Sequence, residues 1–361
     1  MVKGLIRCRD HCQCKLCVHE DTKQRLLDTF ALPKDPVIKS CTPDKSGFKI
    51  EWNDNHQSHY SSDWLAKRDL ASTEYNRRGI VEYVHSVSAG NPIPTVQYKD
   101  VMNSEEGLKN WLREIQTKGF CYVDGCPATP EATQELLEKI AFIRHTHYGG
   151  FWDFTSDLSS KDTAYTSLAL EAHTDTTYFS DPAGLQMFHL LSHTDGEGGT
   201  SLLVDGLRAA RILEEEDYKA YKTLSRVKLF FHASGNDGIS IQPSVAAPVL
   251  THDHAWRYLL QVRWNNADRA AIDLPIEKVD EWYEAAAKFD KILKRKDMEL
   301  WHQLVPGKPL IFDNWRVLHG RSAFTGKRRM CGGYINRDDF VSRFKMTNFG
   351  RDKVLESTVT G

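Results

Sequence analysis

No apolar run in this chain approaches the roughly 18 residues that a membrane span requires. The first twenty residues are too polar for a secretory signal. The chain also lacks a dominant charge: Lys plus Arg number 47 against 49 for Asp plus Glu, so no strong field recruits nucleic acid or an anionic membrane. Cysteine is sparse and uneven, with eight in all and four between residues 8 and 17, which argues against a disulfide framework and for a metal cluster. Internal repeats and low-complexity segments are absent. What remains is a 361-residue chain, 40% hydrophobic and 11% aromatic, long enough for a sizeable core. A small molecule is the expected partner, and the compartment expected is intracellular, cytoplasmic or mitochondrial, with no Arg/Ser-rich leader visible.

Residues 1–70 are rich in Cys and His and carry a clear strand at "GFKIEW", which suggests a small β module. Residues 71–100 read as a polar connector punctuated by Gly and Pro. From residue 101 a second unit begins with an amphipathic helix through Leu108, Trp111, Leu112 and Ile115, then a strand at "GFCYVDG" and a helix over 129–143 capped by Thr129 with Pro130 in its first turn. After residue 165 the pattern is mostly β, interrupted by one helix near 276–294. Short strands separated by turn signals predict a mainly β jelly roll with flanking helices.

Two clusters point to metals. In "EAHTDTTYF" an extended chain would place His173 and Asp175 on one face. With His319 from "DNWRVLHGR" they make a 2-His-1-carboxylate set, which leaves adjacent coordination positions free on the metal. Near the start, "RCRDHCQCKLC" supplies Cys12, Cys14 and Cys17, and a fourth ligand from His56, His59 or Cys8 would close a tetrahedral structural zinc site. Beyond His319, "GKRRM" offers Arg328 and Arg329 as an anion receptor. In a strand over 328–334, Arg328 and Tyr334 would share a face while Arg329 turns outward. Ahead of the metal strand, Tyr148, Trp152 and Tyr165 lie in a Gly-rich, polar stretch that makes poor core. An open aromatic cluster suits a quaternary ammonium group, which has no N–H to donate and is held by ring faces.

The segments "EAHTDTTYF", "GGTSLLVDG" and "DNWRVLHGR...RRMCGGY" resemble the 2-oxoglutarate-dependent Fe(II) oxygenases, in particular the branch containing γ-butyrobetaine dioxygenase and trimethyllysine dioxygenase. The resemblance runs over nearly the whole chain. It implies a double-stranded β-helix with Fe(II) on His173, Asp175 and His319, and 2-oxoglutarate held by Arg328 and Thr200. It further implies a trimethylammonium cage of Tyr148, Trp152, Tyr165 and Tyr334, and selects His56 as the fourth zinc ligand. Asp162, where butyrobetaine enzymes carry Asn, favours a substrate with an α-ammonium group, and Asn265 would meet its amino-acid end or else cap a turn. The implied reaction is 3-hydroxylation of N6,N6,N6-trimethyl-L-lysine with dioxygen, the first step of carnitine biosynthesis, helped by ascorbate; the alternative is γ-butyrobetaine hydroxylation. Homodimers are implied as well. The family's module opens with further strands upstream, so the module here is expected to be shortened.

Overall fold

A computed structural model describes residues 5–66, 83–85, 87–88, 90–155, 166–253 and 258–358. Two units are distinguishable, residues 1–80 with 348–361 and residues 81–347.

In the first unit β1 (Ile38–Pro43), β2 (Gly47–Trp52) and β3 (Gln57–Ser61) form an antiparallel sheet in that order. Trp52 is fully buried and donates its indole N–H to Ser58 Oγ at 2.9 Å, which fixes the β2–β3 hairpin. Asn55 takes the left-handed conformation (φ 64°) in its turn, a conformation that asparagine tolerates better than most residues. The turn delivers His56 immediately before β3.

The second unit contains β4 (Thr95–Gln97), β5 (Phe120–Asp124), β6 (Trp152–Thr155), β7 (Leu170–His173), β8 (Leu185–Thr194) and β9 (Ser201–Asp205). The short β10 (Lys228–Leu229), β11 (Ala247–Pro248), β12 (Leu250–His252) and β13 (Leu259–Val262) follow. Last come β14 (Glu299–His302), β15 (Leu310–Asp313), β16 (Val317–Arg321) and β17 (Lys327–Ile335). A six-stranded sheet runs β4-β5-β15-β8-β17-β6, and a four-stranded sheet runs β14-β9-β16-β7. Leu190, Phe312 and Met330 of the first sheet pack with Leu203, Leu300 and Val317 of the second in one buried cluster. On the other face of the four-stranded sheet, Leu202, Val204 and Leu318 meet helices Gly206–Glu216, Tyr218–Arg226 and Ile276–Leu293. Strand β9 is thus apolar on both sides, as a sheet sandwiched between layers requires. This is the expected double-stranded β-helix with flanking helices.

Several local expectations differ from the observed fold. The run "KPLIFDNWRVLHG", which reads as one strand, is broken at Asn314–Arg316, and β15 and β16 belong to different sheets. Two helices follow β9 where strands were expected to continue. Asp205 accepts from the N–H groups of Leu207 and Arg208, so the Asp-Gly pair that resembles a turn is a helix cap. The helix expected over 129–143 ends at Glu138. Part of the expected connector is structured, since β4 pairs in parallel with β5.

His189 on β8 is fully buried, bonded to Thr133 Oγ1 at 2.7 Å and accepting the Gly307 N–H at 3.0 Å on Nε2. Burial pushes its pKa down to about 4. Below an unfolded value near 6.5 the unfolded chain takes up a proton that the native state refuses, so stability is present above that pH and lost as pH falls towards 4. The contribution is about 3 kcal/mol. Urea unfolding between pH 7 and pH 4.5 should therefore show a smaller loss of stability in His189→Gln than in the native chain.

Candidate active site

His173 ends β7, and His319 on β16 is its direct partner in the antiparallel ladder, with ring centroids 4.3 Å apart. The strand stops at His173, so Asp175 lies in the following turn rather than two positions along an extended segment. It still comes to the same point: Asp175 Oδ1 is 3.2 Å from His173 Nε2 and 3.8 Å from His319 Nε2. One donor atom from each of the three lies within 4.8 Å of the others, a spacing that one ion can bridge. The residues present therefore fit a ferrous ion held on one face, with the cavity on the other.

The turn is held by residues that stand outside the His-x-Asp motif. Asn314, almost fully buried between β15 and β16, accepts the Asp175 N–H at 2.8 Å and donates Nδ2 to the carbonyls of Asp175 and Ala183, both at 3.0 Å. His173 Nδ1 lies 2.8 Å from the Glu171 carbonyl, which leaves the Nε2 lone pair for a metal. Tyr334 Oη and Gln186 Nε2 both donate to Asp175 Oδ2, at 2.7 and 2.6 Å.

These contacts set the charge state. Burial, then the charge of His173, pushes His319 down to about 3, so its imidazole is neutral. Burial works against ionisation of both other ligands, yet the Asp175 hydrogen bond and charge hold His173 up. The two histidines and the Tyr334 hydroxyl in turn hold Asp175 well below the usual carboxylate range.

The triad opens into a cavity of about 760 Å³. Tyr148, Trp152, Tyr178 and Tyr334 line it beside the ligands. Trp152 meets Tyr334 edge to face at 6.1 Å, and the Tyr178 hydroxyl donates to Tyr148 Oη at 3.4 Å. The indole fits because its cross-strand neighbour is glycine: a Cβ on Gly332 would come within 2.5 Å of the Trp152 ring. Tyr178 was missed in the sequence, although it lies five residues beyond His173 in the same motif.

Arg328 also lines the cavity and is only 2% exposed. Its guanidinium sits 5.0 Å from the Phe324 ring centre and 3.9 Å from Met330 Sδ, and its Nε has no hydrogen-bond partner. No carboxylate pairs with it among the described residues, and burial pushes its pKa down to about 10. A desolvated cation without a counter-ion is a ready receptor for a ligand carboxylate. Arg329, by contrast, turns outward to Asp153 at 2.6 Å, as strand parity predicts. Gly199, in the left-handed region (φ 68°), leaves room for the guanidinium, since a Cβ there would be 2.8 Å from Cζ.

Other expected residues fall differently. Thr200 is half-buried, donates its hydroxyl to Gln303 Oε1 at 3.0 Å and does not line the cavity, whereas Ser201 does. Asn265 lines the cavity but caps its own turn, accepting the Ala267 N–H at 3.0 Å and donating to Asp268 Oδ2 at 2.7 Å. Asp162 and Tyr165 lie outside the described residues.

In the first unit His56 Nε2 is 3.2 Å from Cys12 Sγ and 3.5 Å from Cys14 and Cys17 Sγ. Sulfur and nitrogen ligands on one tetrahedral zinc are about 3.5 Å apart, so the four residues fit that ion. His59 is instead 3.1 Å from Asp44, and Cys8 is not part of the cluster. Arg9, tied to Asp54 at 2.9 Å, points a guanidinium nitrogen at Cys17 Sγ, 3.6 Å away.

Residues 81–334 match the model of the taurine catabolism dioxygenase TauD, TfdA family, and residues 4–66 that of the γ-butyrobetaine hydroxylase-like N-terminal domain. Trimethyllysine dioxygenase of Neurospora crassa is 49% identical over 98% of this chain and 82% of its own length. The chain belongs to the trimethyllysine dioxygenase family. A mitochondrial trimethyllysine dioxygenase of Mus musculus is 38% identical over 94% of this chain and 81% of its own length. The γ-butyrobetaine dioxygenase of Pongo abelii is more distant, at 29% over 94% and 89%. Among solved structures, a taurine dioxygenase from Burkholderia xenovorans superposes with a TM-score of 0.51 over 70% of this chain and 90% of its own, at 10% identity, a likeness of fold alone. A 2-oxoglutarate cosubstrate has a far carboxylate to seat, and Arg328, buried in the cavity wall with no carboxylate paired to it among the described residues, is a candidate for that seat.

Gly199→Ala should push the guanidinium out of its seat. Anaerobic titration should show 2-oxoglutarate bound about tenfold more weakly, roughly 1.4 kcal/mol, with Fe(II) binding unchanged. An unchanged cosubstrate affinity would remove Arg328 from that role.

Proposed function

We propose that this chain hydroxylates C3 of N6,N6,N6-trimethyl-L-lysine, consuming 2-oxoglutarate and dioxygen, as the first step of carnitine biosynthesis. The observation that carries the reading is the aromatic box of Tyr148, Trp152, Tyr178 and Tyr334 opening into the same cavity as the metal triad. A trimethylammonium head cannot donate hydrogen bonds, and its affinity comes from ring quadrupoles in a desolvated site. When bound, iron would supply the activation of dioxygen, one oxygen atom entering the substrate C–H bond and the other the succinate formed as 2-oxoglutarate loses carbon dioxide. His173, Asp175 and His319 hold the iron, and Arg328 orients the cosubstrate through its far carboxylate. The cage fixes one end of the substrate, so that the chain of methylenes presents a single carbon to the metal.

Discrimination from γ-butyrobetaine is assigned to the other end of the substrate, where Asp162 is proposed to receive the α-ammonium group. Asn265 is proposed to act there by holding the Asp268 carboxylate at the cavity wall. Thr200 is kept as a cosubstrate contact that would require its hydroxyl to leave Gln303.

The remaining parts of the reading concern the chain as a whole. Residues 1–70 are proposed as a zinc module on Cys12, Cys14, Cys17 and His56, residues 71–100 as a connector and 101–361 as the oxygenase domain. Ascorbate is the proposed reductant that restores ferrous iron, and the protein is proposed to act as a homodimer. The mouse relative's name includes the mitochondrion, which makes that compartment the first to examine by imaging.

Incubating the iron-loaded protein with each betaine and measuring succinate decides the substrate. Release with trimethyllysine at more than tenfold the rate with γ-butyrobetaine is expected, and the reverse order would overturn the choice. Trp152→Ala should raise the trimethyllysine requirement at least tenfold with iron binding intact, and Asp162→Asn should weaken trimethyllysine much more than γ-butyrobetaine. For the module, a strong zinc chelator should release one zinc per chain, and Cys14→Ser should arrive without it. Full zinc content in that variant would place the metal elsewhere.

A further inference from the structure

Asp175 has two carboxylate oxygens with different neighbours. Oδ1 is the oxygen nearest His173 and His319, while Oδ2 accepts hydrogen bonds from Tyr334 Oη and Gln186 Nε2. The two donors are cross-strand partners, Tyr334 on β17 directly opposite Gln186 on β8, so the sheet itself sets their spacing. Both are buried, at 5% and 1% exposure. Gln186 Nε2 also reaches the tyrosine oxygen at 3.5 Å, which closes a three-membered network. At the same time the Tyr334 ring lines the cavity edge to face with Trp152.

We propose that Tyr334 serves both parts of the site: its ring is a wall of the cation cage, and its hydroxyl, with Gln186, is a positioning group for the metal carboxylate. Two donors on Oδ2 occupy the lone pairs that a chelating carboxylate would turn to the metal, so Asp175 binds through Oδ1 alone. One-oxygen ligation keeps three coordination positions open, the number that a bidentate 2-oxo acid and dioxygen require. The sequence places the tyrosine six residues beyond Arg328 on the same strand, so cosubstrate seat, cage wall and carboxylate clamp share one rigid element. The cage half of this statement rests on the trimethyllysine reading. The carboxylate half does not, because it concerns only metal binding.

The test separates the two halves. Co(II) titrated anaerobically into the metal-free protein, without any substrate, reads the clamp. Tyr334→Phe keeps the ring and removes the donor, so Co(II) affinity should fall about tenfold or more, the usual cost of losing an outer partner of a metal ligand. The visible Co(II) spectrum should change as the freed Oδ2 swings towards the ion. Trimethyllysine affinity, measured with Co(II) saturating, should stay within about threefold of the native value, whereas Tyr334→Ala should lose both. Gln186→Leu keeps every ring of the cage and should weaken Co(II) in the same direction, which keeps the test open if Tyr334→Phe folds poorly. Co(II) affinity within twofold of native together with an unchanged spectrum in Tyr334→Phe, or in Gln186→Leu where that variant stands in for it, overturns the proposal. So does a parallel loss of metal and trimethyllysine binding in Tyr334→Phe, since the hydroxyl would then not act on the carboxylate separately from the cage. If the native protein failed to turn over trimethyllysine, the Co(II) results would stand unaffected, and the failure would belong to the substrate reading.

Discussion

Everything at the centre of this molecule depends on holding one ionised carboxylate, Asp175, in a buried site against the cost of desolvation. A lone charge there would cost several kcal/mol and would be lost by protonation. The structure offsets that cost on all sides. Two imidazoles face one oxygen, two donors meet the other, and Asn314 clamps the backbone on which the residue sits. The carboxylate therefore stays charged and aimed, and His319, neutral because it is buried, keeps its lone pair available.

The double-stranded β-helix makes this arrangement inexpensive to specify. His173 and His319 are ladder partners, so the register of β7 and β16 fixes their separation. Gln186 and Tyr334 are ladder partners in the facing sheet, so the register of β8 and β17 fixes theirs. The ligands and their supports come from opposite sheets and meet between them. Two glycines complete the packing by what they omit. Gly332 yields space to the Trp152 indole and Gly199 to the Arg328 guanidinium, so the aromatic wall and the buried cation both depend on missing methyl groups.

Much of the site was legible in the residues because its chemistry is unusual for a core. A His-x-Asp pair, a distant histidine and a clustered cysteine run have few ordinary explanations, and the structure brings the members of each cluster together. Strand parity correctly separated Arg328 from Arg329. The parts that were not legible involve turns and capping. Asp175 left the strand, since the left-handed Thr176 that follows ends the extended chain. Asp205-Gly206 was a helix cap rather than a turn, and Asn314–Arg316 was a crossing between sheets rather than strand interior. In each case local pattern was overridden by hydrogen bonds made across more than a hundred residues, or by a cap whose signal is the same as that of a turn. Asn314 illustrates the limit: its 139-residue reach to Asp175 has no trace in local sequence.

The central claim is that His173, Asp175 and His319 hold one ferrous ion with adjacent positions open to a chelating 2-oxo acid. Anaerobic addition of 2-oxoglutarate to the Fe(II)-loaded protein tests this directly, because a 2-oxo acid chelated to ferrous iron gives a visible charge-transfer absorption. One band saturating at one equivalent per chain, and missing in Asp175→Ala, is the predicted result. A band of full strength in Asp175→Ala, or none in the native protein carrying a full complement of iron, would contradict the account.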